Sequence, residues 1–202
     1  MQHDFILLDR SGSMISLWGE AISSINAYVH KLAADNIDTG VTLAAFDTEG
    51  GGLSFTVLRD RIIPKTWMDV TPREVTPRGL TPLNDATGKI VNLARAGNYD
   101  KVAIIIMTDG HENASKELRV DQVKALLDDC RAKNWQVIFL GANFDNVKQA
   151  ADYGASAHQT VQSSVRNLGA TMDSLSSSRA AYAVGDTAMG FSEEEKRTLK
   201  QD

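Results

Sequence analysis

Phe5-Ile6-Leu7-Leu8-Asp9-Arg10-Ser11-Gly12-Ser13 starts as an unbroken apolar run and ends as a loop bearing one carboxylate and two hydroxyls. An uninterrupted run of this length reads as a strand buried on both faces, because a strand with one wet face would alternate. The loop that follows holds three hard oxygen donors at alternating positions. Such a set suits a magnesium-like ion, which takes oxygen ligands and keeps part of its hydration shell.

Three further runs repeat the strand signal: Val41 to Phe46, Val102 to Met107 and Val137 to Leu140. Between the runs, apolar residues return every three or four positions. The sets are Leu17, Ala21, Ile25, Tyr28, Val29 and Leu32, then Leu83, Ala86, Ile90, Leu93 and Ala94, then Val120, Val123, Leu127 and Cys130. Each set gives a helix one buried stripe. Strand alternating with helix predicts an α/β fold around a largely parallel sheet. One interval breaks the rule, since Val41 to Phe46 and Leu53 to Leu58 are separated only by Asp47-Thr48-Glu49-Gly50-Gly51-Gly52. There is no room for a crossover helix, so an antiparallel hairpin strand is expected. The glycines do not form a phosphate loop, because no Gly-Lys-Ser/Thr helix start follows them.

The chain of 202 residues, 43% of them hydrophobic, can bury a core as one domain. A net charge of -5 argues against a nucleic-acid partner, whose phosphates call for clustered Lys and Arg. Cys130 is the only cysteine, which rules out an intrachain disulfide and suits a reducing cytoplasm. No apolar stretch reaches the ~18 residues of a membrane span, and the N-terminus lacks the pattern of a secretory signal. A cytoplasmic protein with no membrane contact is the expectation.

From Ile62 to Gly79 three prolines and weak periodicity predict a surface crossing with at most a short helix near Trp67. After Gly141-Ala142-Asn143, a helix is expected around Val147 to Tyr153 and a last edge strand over Ala155 to Thr160, with His158 an ordinary residue in it. The composition then shifts. Val161, Val165, Leu168, Met172 and Leu175 keep helical spacing, but Ser174, Ser176, Ser177 and Ser178 thin the apolar face. Ser192-Glu193-Glu194-Glu195 reads as a capping box opening a final charged helix. The expected organisation is a domain over 1–160 and a helical extension over 161–202, which docks on the body, self-associates or stays mobile.

Two other places offer oxygen donors. Met107-Thr108-Asp109-Gly110 ends the third strand with a carboxylate, as Leu8-Asp9 ends the first. In an open parallel sheet both would face a crevice at the carboxyl ends of the strands. Two carboxylates alone also suit a general acid and base pair. Thr81, in Gly79-Leu80-Thr81-Pro82-Leu83-Asn84-Asp85-Ala86, reads by itself as an ordinary helix N-cap before proline.

Taken together, Asp-x-Ser-x-Ser after the first strand, Thr-Pro-Leu-x-Asp-Ala some seventy positions on, and Thr-Asp-Gly after a later strand resemble the von Willebrand factor A-domain family, in that family's order. The resemblance covers roughly Asp4 to Thr160. It implies a doubly wound, Rossmann-like open sheet, mostly parallel with one antiparallel edge strand and helices on both faces. It also implies a metal-ion-dependent adhesion site, with ligand roles falling on Asp9, Ser11, Ser13, Thr81 and Asp109. The ion would be Mg2+, with Mn2+ or Ca2+ as alternatives. The Ser11 and Ser13 hydroxyls would hold it, Thr81 would bind directly or through water, and Asp9 and Asp109 would act largely through waters or hydroxyl hydrogen bonds, so that the ion stays electrophilic and can accept an Asp or Glu of a protein partner. Gly79-Leu80 stands where the family often has Gly-Gly. Arg10 is expected as a rim cation, paired with an acidic partner or with Glu112, and Glu112 and His111 as loop residues. The resulting expectation is a non-enzymatic interaction module of bacterial or phage type. The alternatives are a metal-dependent phosphoester hydrolase, weakened by Ser11 where a second Asp would be needed, and a structural subunit assembling through 161–202.

Overall fold

The computed structural model describes residues 1–142, 146–185 and 188–200. Its strands are β1 (Gln2–Asp9), β2 (Thr39–Glu49), β3 (Gly52–Ile62), β4 (Lys101–Met107), β5 (Gln136–Ala142) and β6 (Thr160–Ser163). Its helices are α1 (Trp18–Ala34), α2 (Leu83–Arg95), α3 (Val120–Ala132), α4 (Asn146–Asp152), α5 (Leu168–Val184) and α6 (Glu193–Lys200). The strands form one sheet in the order β3-β2-β1-β4-β5-β6, parallel throughout except for β3, which runs antiparallel to β2. The expected fold class is the observed one.

Burial explains the apolar runs. Phe5, Ile6, Leu7 and Leu8 are all buried, the odd positions facing α2 and α3 and the even ones facing α1 and α5. The hairpin turns at Gly50 and Gly51, both with positive φ (60° and 78°), the left-handed backbone that a tight two-residue turn requires. Short 3₁₀ turns stand at Gly12–Leu17 and Pro64–Thr66.

The last edge strand starts later than the sequence suggests. Residues 155–159 hold a 3₁₀ turn closed by polar side chains, with Ser156 Oγ donating to Gln159 Oε1 at 3.0 Å, and pairing with β5 begins only at Thr160. His158 is exposed in that turn. Of the loop Gly141-Ala142-Asn143, Asn143 lies outside the described residues. Past residue 160 the chain supplies β6 and then α5, whose Leu168, Met172, Leu175 and Tyr182 join the core made by α1. Arg179 of α5 is fully buried and donates to Asp4 of β1 at 2.7 Å. The Ser192 and Glu195 capping box forms, each side chain taking the other's backbone N–H. No helix among the described residues is long and apolar enough to cross a membrane.

Candidate metal centre

Strand order reverses around β1, which has β2 on one side and β4 on the other, so the loops after β1 and β4 open on a single crevice at the carboxyl end of the sheet. Asp9 is the last residue of β1 and is completely buried. Its Oδ1 accepts the Ser11 backbone N–H at 2.7 Å, and its Oδ2 accepts the Thr108 hydroxyl at 2.6 Å. Ser11 and Ser13 Oγ lie 3.1 Å apart, and Ser13 Oγ donates to Asp109 Oδ1 at 2.7 Å. Thr81 enters through Gly110. A Cβ placed on that glycine would lie 2.9 Å from Thr81 Oγ1 and 3.6 Å from both Asp9 Oδ2 and Ser13 Oγ. Oxygens from three separate loops thus surround one small space, which only glycine at position 110 leaves open. All five residues singled out in the sequence come together around it.

The loops are held by contacts that the sequence did not advertise. The loop after β1 is tied to the Thr81 approach by Gly12 N–H donating to Gly79 C=O at 3.1 Å and Arg78 N–H to Arg10 C=O at 2.8 Å. Gly79 has φ of 68°, and a Cβ there would meet Thr48 C=O at 2.7 Å, so the departure at Leu80 leaves the glycine that matters in place. Leu80 N–H in turn donates to Thr48 Oγ1 at 2.9 Å. Thr81 and Asn113 bind reciprocally, Thr81 N–H to Asn113 Oδ1 and Asn113 N–H to Thr81 C=O. Thr81 does not cap α2 through its side chain, which is thereby left for the crevice.

Glu112 is no solvated loop residue. Its carboxylate accepts the N–H groups of Asn84, Ala114 and Ser115 and the Ser115 hydroxyl, at 2.6 to 2.9 Å, so it fastens the loop after β4 to the start of α2. Asp85 does the same from the helix side, accepting the N–H groups of Lys116, Glu117 and Leu118. Arg10 is likewise not a rim cation paired with Glu112. It is buried and donates to Asp47 Oδ1 at 2.9 Å, and Arg78 takes the other Asp47 oxygen at 2.7 Å. The cation adjacent in sequence to Asp9 is therefore turned away from it. His111 is exposed, with Nδ1 3.2 Å from Gln149 Oε1.

The charges are accordingly unbalanced. Burial pushes the Asp9 carboxyl up to about 6, a rise that its hydrogen bonds from Thr108 and Ser11 only partly offset and that the nearby Asp109 reinforces. Burial also raises Asp109, against the lowering effect of its bond from Ser13. Among the described residues no Lys or Arg pairs with either carboxylate. Nor, among those residues, do three or more His, Cys, Asp or Glu gather into a metal-binding group, so the donor set is two carboxylates supplemented by hydroxyls. Hard oxygens, excess negative charge and a small open space fit a hard divalent cation and do not fit the thiolate and imidazole sites of softer metals.

No family model and no curated protein matches the chain. Solved structures do share its fold. Manganese-loaded TRAP protein of Plasmodium vivax aligns with TM-score 0.62 at 17% identity, over 84% of this chain and 71% of that one. The vWF domain of the type V pili tip protein Mfa5 from Porphyromonas gingivalis aligns with TM-score 0.67 at 10% identity, over 96% and 98%. The VWA domain of SpRpn10 aligns with TM-score 0.56 at 15% identity, over 81% and 87%. Other matches are longer chains, and this one spans 45% of proximal thread matrix protein 1 from the mussel byssus. The chain has a von Willebrand factor A fold.

Proposed function

We propose that Asp9, Ser11, Ser13, Thr81 and Asp109 hold a divalent cation, magnesium in the first place, and that the cation receives an Asp or Glu side chain from a protein partner. The observation that carries this reading is the convergence of three loops on the space beside Gly110, with two carboxylates and, among the described residues, no cation of the protein's own to balance them. The manganese in one structure of the same fold is consistent with it. An ion held largely through neutral hydroxyls keeps most of its charge and so attracts an outside anion. The adhesin and pilus proteins among the structural neighbours make a protein partner the natural choice. The setting we propose is the cytoplasm, where buried Cys130 would remain a thiol.

Binding accounts for the site better than hydrolysis does. A hydrolase would need a base poised beside the ion to activate water. Glu112, the nearest carboxylate in sequence after Asp109, already accepts four hydrogen bonds that anchor loops, and His111 is exposed with Nδ1 3.2 Å from Gln149 Oε1. The test is calorimetric titration with Mg2+ and Mn2+, followed by affinity capture from the source proteome in magnesium and in EDTA. Metal binding that Thr81→Ala and Ser13→Ala both weaken, with partner capture lost in EDTA, is the expected result. Capture indifferent to chelation and to both substitutions refutes the proposal.

A further inference from the structure

The two edges of the sheet are protected very differently. On one side β6 is only four residues long and is covered by the C-terminal segment: Ser164 N–H donates to Leu199 C=O, Phe191 N–H to His158 C=O and Lys196 Nζ to Ala157 C=O. On the other side β3 is eleven residues long and, among the described residues, pairs with β2 alone. Proteins usually blunt a long free edge with charge, proline or a bulge, because its unpaired N–H and C=O groups invite another strand. Here Arg59, Asp60, Arg61 and a register shift guard one half only. The other half, Gly52-Leu53-Ser54-Phe55-Thr56-Val57-Leu58, has no charge and no proline. Because an antiparallel ladder turns alternate residues outward, the pair Glu49 and Gly52 closing the turn leaves the N–H and C=O groups of Leu53, Phe55 and Val57 directed away from β2.

Beside this edge runs an apolar trough. A hollow of about 530 Å³ lies between Phe55 and Val57 of β3 and Lys89, Asn92, Leu93 and Ala96 of α2 and the turn after it. Lys89 Nζ sits 5.8 Å from the centre of the Phe55 ring, and Val57 is 41% exposed. A second hollow, sharing Leu93 and Ala96, continues the trough to Asp60 and Arg61.

We infer that β3 is the interface of a two-fold homodimer, in which the β3 strands of two copies pair antiparallel about Phe55 and extend the sheet across both molecules. The uncharged half is self-complementary in this register. Phe55 faces its counterpart, Val57 of each copy faces Leu53 of the other, and these side chains fill the two troughs. The charge pattern selects the direction. Antiparallel pairing carries the two Arg59-Asp60-Arg61 segments to opposite ends of the seam, whereas parallel in-register pairing would set each arginine against itself. The interface leaves both metal crevices free, because they lie at the carboxyl end of β1 and β4. The two-fold axis then points those crevices in opposite directions, so that one dimer presents two binding sites on opposite edges.

Sedimentation velocity on the full chain tests this across a range of concentrations, with and without magnesium. The expected wild-type species has twice the 22.0 kDa mass of the chain. Two variants probe the edge while sparing the ladder to β2: Val57→Lys places a charge in the trough, and Val57→Pro removes an outward N–H. Both are expected to sediment as monomers that unfold in urea as cooperatively as the wild type, a control for folding. A wild type that is monomeric at every concentration overturns the inference. So does a dimer that survives both substitutions, which would point to another surface such as α5 and α6. Neither outcome depends on whether the metal site works as proposed.

Discussion

Asp4 and Asp9 lie at opposite ends of the same strand, both completely buried, yet their charges are handled in opposite ways. Asp4 is neutralised within the protein. Arg179 Nε donates to its Oδ1 at 2.7 Å, Tyr28 hydroxyl to its Oδ2 at 2.8 Å, and Thr39 hydroxyl to its Oδ1 at 3.2 Å, while the rest of the Arg179 guanidinium is satisfied by Gln2 and Thr39. Asp9 has an N–H and a hydroxyl and, among the described residues, no cation. Carrying a buried carboxylate without a counter-charge is costly, and a fold that evidently can supply an arginine at one end does not do so at the other. The difference is what the proposed metal site requires of Asp9: a charge left for a cation from outside the chain to balance.

The largest expected effect breaks the comparison at the sealed end. Arg179→Met strands the Asp4 carboxylate inside the core and should cost about 3–5 kcal/mol of stability, the usual penalty for removing one member of a buried pair. Urea denaturation measures it. Adding Asp4→Asn to that variant should return a substantial part of the loss, whereas the same asparagine alone would leave Arg179 stranded in turn. A double variant no more stable than Arg179→Met would mean that the helix packing, and not the charge, holds α5 in place.

At the open end the corresponding change should behave otherwise. Asp9→Asn removes an uncompensated charge and weakens one of two hydrogen bonds, so the metal-free protein should stay within about 1 kcal/mol of wild type. What it should lose is stabilisation by magnesium. The wild type is expected to gain about 2.7 kcal/mol at a magnesium concentration one hundred times the dissociation constant, and the variant almost none. Thermal denaturation in magnesium and in EDTA reads both quantities. A wild type whose melting temperature ignores magnesium would end the parallel with a missing counter-ion.

Gly110→Ala sharpens the point by filling the space while leaving all five donor residues in the sequence. A methyl group 2.9 Å from Thr81 Oγ1 must displace either that hydroxyl or the loop. Metal affinity should fall by at least about tenfold, equivalent to ~1.4 kcal/mol, with little change in metal-free stability. Titration calorimetry compares the two proteins directly.

These contrasts also mark what the sequence could reveal. Local patterns were sufficient for the strands, since Phe5 to Leu8 and Val102 to Met107 are buried on both faces and their apolar runs say so. They were sufficient too for bringing Asp9, Ser11, Ser13 and Asp109 to one end of the sheet, because loops after parallel strands all open on that side, whereas Thr81, which follows the antiparallel β3 and a long crossing, joined them only through the family resemblance. They were silent on pairing over distance. Nothing near Asp4 announces Arg179, which is 175 positions away. Nothing near Arg10 shows that Asp47 rather than Glu112 is its partner, and Glu112 looks like an ordinary loop acid until its four donors are seen. The late start of β6 has a similar origin: the polar turn over Ala157–Gln159 forms from local side-chain bonds, and only the register with β5 sets where pairing begins.

The smallest net effect comes from pH, where the two ends of the sheet oppose each other. Burial raises Asp9 to about 6 from 3.8, so the metal-free native state binds a proton that the unfolded chain has released, and this contribution to stability is lost as pH rises from about 4 to 6. His3, near the sealed end, is held by burial at about 4 against 6.5, despite the opposing pull of Asp4 and Asp60. Its native state refuses a proton that the unfolded chain takes up, so stability from this source rises with pH over nearly the same interval. The two slopes should largely cancel in the metal-free wild type, and substitution separates them. The stability difference between wild type and Asp9→Asn should fall with pH from about 4 to 6. That between wild type and His3→Gln, which retains a hydrogen-bonding group near Thr42, should rise towards pH 6.5. Saturating magnesium should reverse the first slope and leave the second untouched, because the ion stabilises the ionised Asp9 and has no contact with His3. Urea titrations at several pH values supply both differences. If magnesium moved the two slopes equally, its effect would be general screening and not the missing counter-charge of Asp9.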